Sequence, residues 1–164
     1  MEELCNRVRQ TGVVTNDVRL AESGLAFVRG VMDGRHPFPP VLDLLECHLV
    51  EVEEGKVVFT SKPTPSFLNP IGTIQGGWAA TILDAAMAFA IHSTLKQGEG
   101  YTTLEMKLNY VRPVLPSSGI VRGEGQLIHR GNRIATAEGR LLDANGKLLA
   151  HGGETCMIFP ANTA

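Results

Sequence analysis

The sequence has few cysteines, little net charge and no long apolar run, and each shortage excludes something. Its three cysteines, Cys5, Cys47 and Cys156, stand far apart with no C-x-x-C spacing. An odd, scattered set argues against a disulfide framework or a zinc site and fits a reducing, cytoplasmic compartment. The 15 Lys and Arg nearly balance the 17 Asp and Glu, for a formal charge of -2, so no broad cationic footprint for nucleic acid is expected. The longest apolar stretch, Trp78 to Ile91, is interrupted by Asp84 and is too short to span a bilayer, so no membrane association is expected. The opening MEELCNRVRQ has neither an apolar core nor a small-residue cleavage site, so a signal peptide is not expected. Internal repeats and low-complexity tracts are absent.

Several chemical signatures are missing too. No G-x-x-x-x-G-K-[ST] or helix-opening G-x-G-x-x-G supports nucleotide hydrolysis or dinucleotide redox chemistry, and no H-E-x-x-H pairs the histidines for a metal. No serine sits in a G-x-S-x-G elbow. The expectation is a protein without metal or cofactor.

What remains is one ordinary domain. The chain has 164 residues, 43% of them apolar, and a mean hydropathy of +0.03, enough for a real core. The 18 Gly and 9 Pro favour strands and turns over a helical bundle. Residues 1–40 read as a helical extension: Leu20, Leu25, Phe27, Val28, Val31 and Met32 recur at helical intervals, with Ser23 as a cap. His36 to Pro40 (HPFPP) is expected to be extended or turning. Residues 41–160 form the main domain. Leu45, Cys47 and Leu49 alternate with polar neighbours as a first strand, Glu54-Gly55 turns, and Val57 and Phe59 continue in a second.

Lys62 to Gly77 reads as a loop, and Gly77 to about Leu95 as one helix that is apolar nearly all round and therefore buried on most sides. Four strands follow. Leu104, Met106, Leu108 and Tyr110 alternate in the first, the next two meet at Arg130-Gly131-Asn132, and Asp143 to Gly146 turns into the last, Leu148 to Phe159. Gly123, Gly125, Ala135, Ala137 and Gly139 leave one face small enough for the buried helix to approach. The predicted class is α+β, a long central helix wrapped by a curved antiparallel sheet, with an extra N-terminal helix.

Asp84 stands out, because a carboxylate in the middle of an apolar helix is costly unless it is paired or employed. Just before that helix lies Asn69-Pro-Ile-Gly72-Thr-Ile-Gln75-Gly76-Gly77. Helix N-termini offer unpaired N–H groups that glycines leave open to approach, the geometry that holds a carbonyl oxygen gaining negative charge. Gly76 and Asp84 are eight positions apart, roughly 12 Å along a helix. One acyl carbon could hardly touch both, so a site using both predicts a homodimer. Arg112, and Arg130 and Arg133 flanking the Gly131-Asn132 turn, are candidate phosphate binders; each is equally a solvated surface cation. Trp78, Met87 and Phe89 could line an acyl tunnel or be plain core.

Together these residues resemble the N-x-x-G-x-x-H-G-G…L-D signature of hotdog-fold acyl-CoA thioesterases, in particular the phenylacetic-acid-pathway (PaaI-like) branch. Gly100 to Pro113 and the strand Ala150 to Phe159 are similar to that branch as well, so the likeness spans about Val41 to Phe159. It implies a hotdog fold, an acyl-CoA substrate, a homodimer or dimer of dimers, and no cofactor. By position it implies that Asp84 activates water or attacks the thioester itself. Asn69 and the Gly76 N–H would bind the carbonyl, beside Gln75, Gly77 and Trp78, and Thr103 would orient the water. The usual histidine of H-G-G is Gln75 here, which makes a non-catalytic acyl-CoA binding protein the main alternative; an enoyl-CoA hydratase or dehydratase is the lesser one, since those relatives usually carry a catalytic histidine where Gln75 stands. His151-Gly152-Gly153 lies inside a predicted strand and reads as structural.

Overall fold

The computed structural model describes residues 9–161; Cys5 and the opening residues 1–8 of the expected extension lie outside them. Three short helices come first, α1 (Asn16–Leu20), α2 (Gly24–Asp33) and α3 (Pro40–Leu44). They lead to strands β1 (His48–Glu53) and β2 (Lys56–Ser61), the long helix α4 (Gly76–His92), and strands β3 (Glu99–Tyr110), β4 (Val121–Arg130), β5 (Ile134–Leu142) and β6 (Leu148–Pro160). The strands form one antiparallel sheet in the order β1-β2-β4-β5-β6-β3. Central helix and curved sheet are those of a hotdog fold.

Helix α4 lies against the sheet where the side chains vanish. A Cβ on Gly125 would sit 2.1 Å from the Ala86 carbonyl oxygen, and one on Gly123 2.6 Å from Ile82 Cγ2. Ile82, Leu83, Met87 and Ile91 are fully buried as a result. Met87 packs over Gly139, Trp78 is 3% exposed, and the Phe89 ring meets Phe59 edge-on at 5.4 Å. These three side chains belong to the core rather than to an open tunnel. Among the described residues no helix is long and apolar enough to cross a membrane.

The extension shares that core. Ser23 caps α2, its Oγ accepting from the Ala26 N–H, and Gly34 ends the helix at φ 79°, the left-handed turn glycine adopts without penalty. Phe27 is stacked between His36 and His92, at ring distances of 5.0 and 4.8 Å, and Val28 and Val31 are buried in the same cluster as α4. Burial pushes the His92 imidazole down to about 4, so it packs as a neutral aromatic ring.

Three expectations need correction. Pro40 opens α3 instead of breaking it, since the first helical position needs no N–H. The first strand begins at His48, not Leu45, because Glu46 takes a positive φ of 53° and the Cys47 N–H returns to the Leu42 carbonyl. In β3 the alternation is broken by a bulge: Thr103 pairs with Cys156 and Glu105 with Thr155, leaving Leu104 over. Leu104 is 55% exposed, and it is Thr103 that shares the inner face with Met106 and Leu108.

Candidate active site

The loop before α4 is organised by Asn69. Its Oδ1 accepts from the Ile71 and Thr73 N–H groups and its Nδ2 donates to Thr73 Oγ1 at 2.7 Å. The side chain thus closes a tight turn in which Gly72 adopts φ 83°, and one amide N–H of Nδ2 is left over. Gln75 is exposed and makes no side-chain cap. Its backbone instead ties the loop down, with N–H to the Phe67 carbonyl and carbonyl to the Trp78 N–H. An amide in the usual histidine position therefore leaves the helix entrance intact.

Gly76 and Gly77 open α4, and neither N–H meets an acceptor among the described residues, as expected for a first turn. Tyr110 Oη donates to the Gly76 carbonyl at 3.0 Å, and its ring would lie 3.4 Å from a Cβ at position 76. Sequence reasoning missed Tyr110. A half-exposed aromatic ending a strand gave no sign that it roofs the helix entrance.

Asp84 lies two turns further along α4, half-buried, and its carboxylate has no hydrogen-bond or ion-pair partner among the described residues. Burial raises its pKa above the ordinary aspartate value. Across from it on the sheet are Thr103, Glu154 and Cys156. The Asp84 charge reaches both Glu154 and Cys156, raising each. Thr103 Oγ1 donates to Glu154 Oε1 at 2.7 Å, and Cys156 Sγ donates to the same oxygen at 3.1 Å. Burial pushes the Cys156 thiol up to about 12, with the glutamate carboxyl adding to it. A thiol held protonated in this way donates and does not attack. Glu154 is only 2% exposed and was also missed, although it occupies an inward phase of β6 otherwise held by Ala150, Gly152, Cys156 and Ile158.

One chain keeps two groups of residues apart. Asn69, Gly76, Gly77 and Tyr110 gather at the start of α4, whereas Asp84, Thr103 and Glu154 gather near its middle. Thr103 and Tyr110 are seven positions apart on β3, roughly 20 Å. Clefts of about 370 Å³ (beside Met32, His36 and His48) and 390 Å³ (over Lys107, Thr136 and Gly153) include none of Asn69, Gly76 and Asp84. The cations divide as well. Arg130 is tied to Glu99 and to the Gly131 carbonyl, and Arg112 donates to the Leu148 carbonyl at 2.7 Å. Arg133 is exposed, with no side-chain partner among the described residues. His151-Gly152-Gly153 lies within β6, where a Cβ on Gly152 would meet the Lys107 carbonyl oxygen at 2.2 Å. As expected, these glycines serve strand packing. Among the described residues no three His, Cys, Asp or Glu side chains gather as metal ligands.

Known proteins resemble this chain in sequence and fold. The pattern of the thioesterase superfamily matches residues 71–150. Human acyl-coenzyme A thioesterase 13 is 31% identical over 108 residues, 65% of this chain and 76% of the relative. A phenylacetic acid degradation-related protein from Ralstonia eutropha JMP134 superposes with a TM-score of 0.73 at 32% identity, covering 80% of this chain and 98% of its own. The Escherichia coli PaaI protein superposes equally well, TM-score 0.73, at 18% identity over 87% of this chain and 98% of its own.

Proposed function

The chain belongs to the hotdog-fold thioesterase superfamily, in its PaaI-like branch, and is a thioester hydrolase; we propose that it cleaves an aryl- or fatty-acyl-CoA to the free acid and CoA in sites shared by two copies. The observation that carries this reading is the unpartnered, half-buried Asp84, whose charge reaches the Glu154 that Thr103 of the same chain hydrogen-bonds, well away from the free N–H groups of Gly76 and Gly77. The thioester oxygen would lie against the Gly76 N–H and the spare amide N–H of Asn69. Asp84 of the second chain would take a proton from water as the water oxygen bonds to the acyl carbon. Collapse of the tetrahedral intermediate then breaks the carbon–sulfur bond, and the same proton goes to the leaving thiolate. Water fits better than direct attack by Asp84, because Thr103 offers a second group to hold it. Trp78 would fix the loop through its packing on Phe67.

The exposed edge of β3 supports the pairing. It is 12 residues long and borders no other strand on that side among the described residues, and such an edge is a template for another chain. Two β3 edges paired antiparallel about a centre between Met106 and Lys107 would set Thr103 of one chain opposite Tyr110 of the other. The two half-sites would then meet twice per dimer. Such dimers could pair again into a tetramer. Arg133 and Arg112 remain our candidates for the CoA phosphates. Arg130, held by Glu99, would shape the turn that presents Arg133. A reducing cytoplasm suits the free thiols among the described residues, Cys47 and Cys156.

Thiol release from a panel of aryl- and fatty-acyl-CoAs tests the activity and ranks the acyl groups. Asn69→Ala should lower kcat by about 10²–10³, the usual cost of one carbonyl donor, while remaining folded. Mixing that variant with Asp84→Asn tests the shared site. After subunit exchange, half the dimers are mixed and each has one intact site, so about a quarter of wild-type activity should return. A mixture no more active than its parents would place both groups within one chain.

A further inference from the structure

Glu154 is out of keeping with its surroundings. It points inward from β6 between Gly152 and Cys156, is 2% exposed, and leaves Oε2 buried without a partner among the described residues. Burying a carboxyl with an unsatisfied oxygen costs stability, and an apolar residue would fill that phase of the strand at no such cost. What the carboxyl does accomplish is visible at its other oxygen. Oε1 accepts from Thr103 Oγ1 at 2.7 Å and from Cys156 Sγ at 3.1 Å.

A threonine hydroxyl has one hydrogen to give and lone pairs with which to accept. Once that hydrogen is spent on Glu154, Thr103 can meet a water only as an acceptor. A water held between Thr103 and the Asp84 carboxylate then directs one hydrogen to each and keeps a lone pair free for the acyl carbon. With Thr103 turned around to donate, one lone pair of the water would be spent on the hydroxyl and its second hydrogen left without an acceptor there, so the remaining lone pair would no longer be held toward the acyl carbon. We infer that Glu154 is a positioning residue for thioester hydrolysis, fixing the Thr103 hydroxyl as a hydrogen-bond acceptor for the attacking water. This rests on the water-based reading of Asp84 given above. Burial raises the Glu154 carboxyl and the Asp84 charge raises it further. Oε1 accepts two hydrogen bonds and Oε2 has no partner among the described residues, so the geometry asks of this side chain only an acceptor at Oε1. A neutral amide should then stand in for it.

The test is thiol release, with kcat and KM resolved, for wild type, Asp84→Asn, Glu154→Gln, Glu154→Leu and Thr103→Val. Glu154→Gln, which keeps an acceptor at Oε1, should stay within about threefold of wild type. Glu154→Leu should lose about ten- to a hundredfold in kcat with KM little changed. Thr103→Val should lose a similar factor, and adding Glu154→Leu to it should cost no more than about twofold further. Additive losses, or a KM that rises with the fall in kcat, would indicate a purely structural carboxyl and overturn the inference. Thr103 is exposed on an edge strand, so its valine variant should fold whatever happens to Glu154→Leu, and an undiminished kcat there is enough to overturn it. A wild type without thiol release defeats the hydrolytic reading and this inference together. An active wild type that Asp84→Asn silences, with kcat intact in Glu154→Leu, defeats this inference alone.

Discussion

Asp84→Asn should lower kcat by about 10²–10⁴, the range over which a positioned general base contributes, while the KM for acyl-CoA changes little. Asparagine has nearly the same shape and cannot take the proton from water. Because burial raises the Asp84 pKa, the carboxylate should be lost at a higher pH than an ordinary aspartate. The base must be ionised, so kcat/KM should rise with pH through that raised value, and this limb should be missing from the residual activity of Asp84→Asn. The same shift has a consequence for stability. A carboxyl whose folded pKa is raised favours the folded state only while it is protonated, and that contribution is lost as pH rises through the raised value. Asp84→Asn should therefore melt higher than wild type at neutral pH, and the gap should narrow as the buffer is acidified. Thiol release against pH and thermal unfolding at two pH values check both arms. An Asp84→Asn enzyme that keeps wild-type kcat would remove Asp84 from the chemistry.

Asp84 could be found in the sequence because it breaks a pattern: one carboxylate in a helix made mostly of alanine and larger apolar residues. The helix itself, the glycine entrance and the hairpin turns were legible for the same reason, since each is a strong local signal that the core then enforces. Glu154 breaks a pattern as well, standing at an inward phase of β6, but seeing this requires knowing which face of the strand is buried. The short run His151-Gly-Gly-Glu154 hides that phase, because glycine fits either face. Thr103 fell on the wrong face of a simple alternation. The bulge at Leu104 adds one residue and reverses the phase, a device found beside active sites that no spacing rule anticipates. The start of β1 was misjudged through Glu46, whose positive φ is held by the Cys47 to Leu42 hydrogen bond and cannot be read from residue type. Arg130 looked as free as Arg133 until Glu99, 31 positions away, was found against it. The parts that were not legible are contacts between distant segments, and the proposed catalytic cluster consists largely of these.

Gly125→Ala should be among the most damaging single methyl additions in the described residues outside the site. The added Cβ would lie 2.1 Å from the Ala86 carbonyl oxygen, 2.2 Å from its carbon and 2.7 Å from the Met87 nitrogen. Nothing there is the flexible end of a side chain, so the only relief is to lift the middle of α4 away from β4. That movement would loosen Ile82, Leu83 and Met87, all fully buried, and would carry Asp84 away from Thr103. Overpacking ordinarily costs about 1–3 kcal/mol, and a clash with backbone belongs at or beyond the upper end. A loss of about 3 kcal/mol in a domain of this size corresponds to a fall in Tm of roughly 6–12 °C. Gly77→Ala provides the contrast. It lies in the first turn of the same helix with nothing within 4 Å of its Cβ, and alanine there should be neutral or slightly stabilising. Thermal melts of the two variants decide the point. If Gly125→Ala melts with wild type, the helix does not rest on that strand, and the placement of Asp84 against Thr103 and Glu154 loses its footing as well.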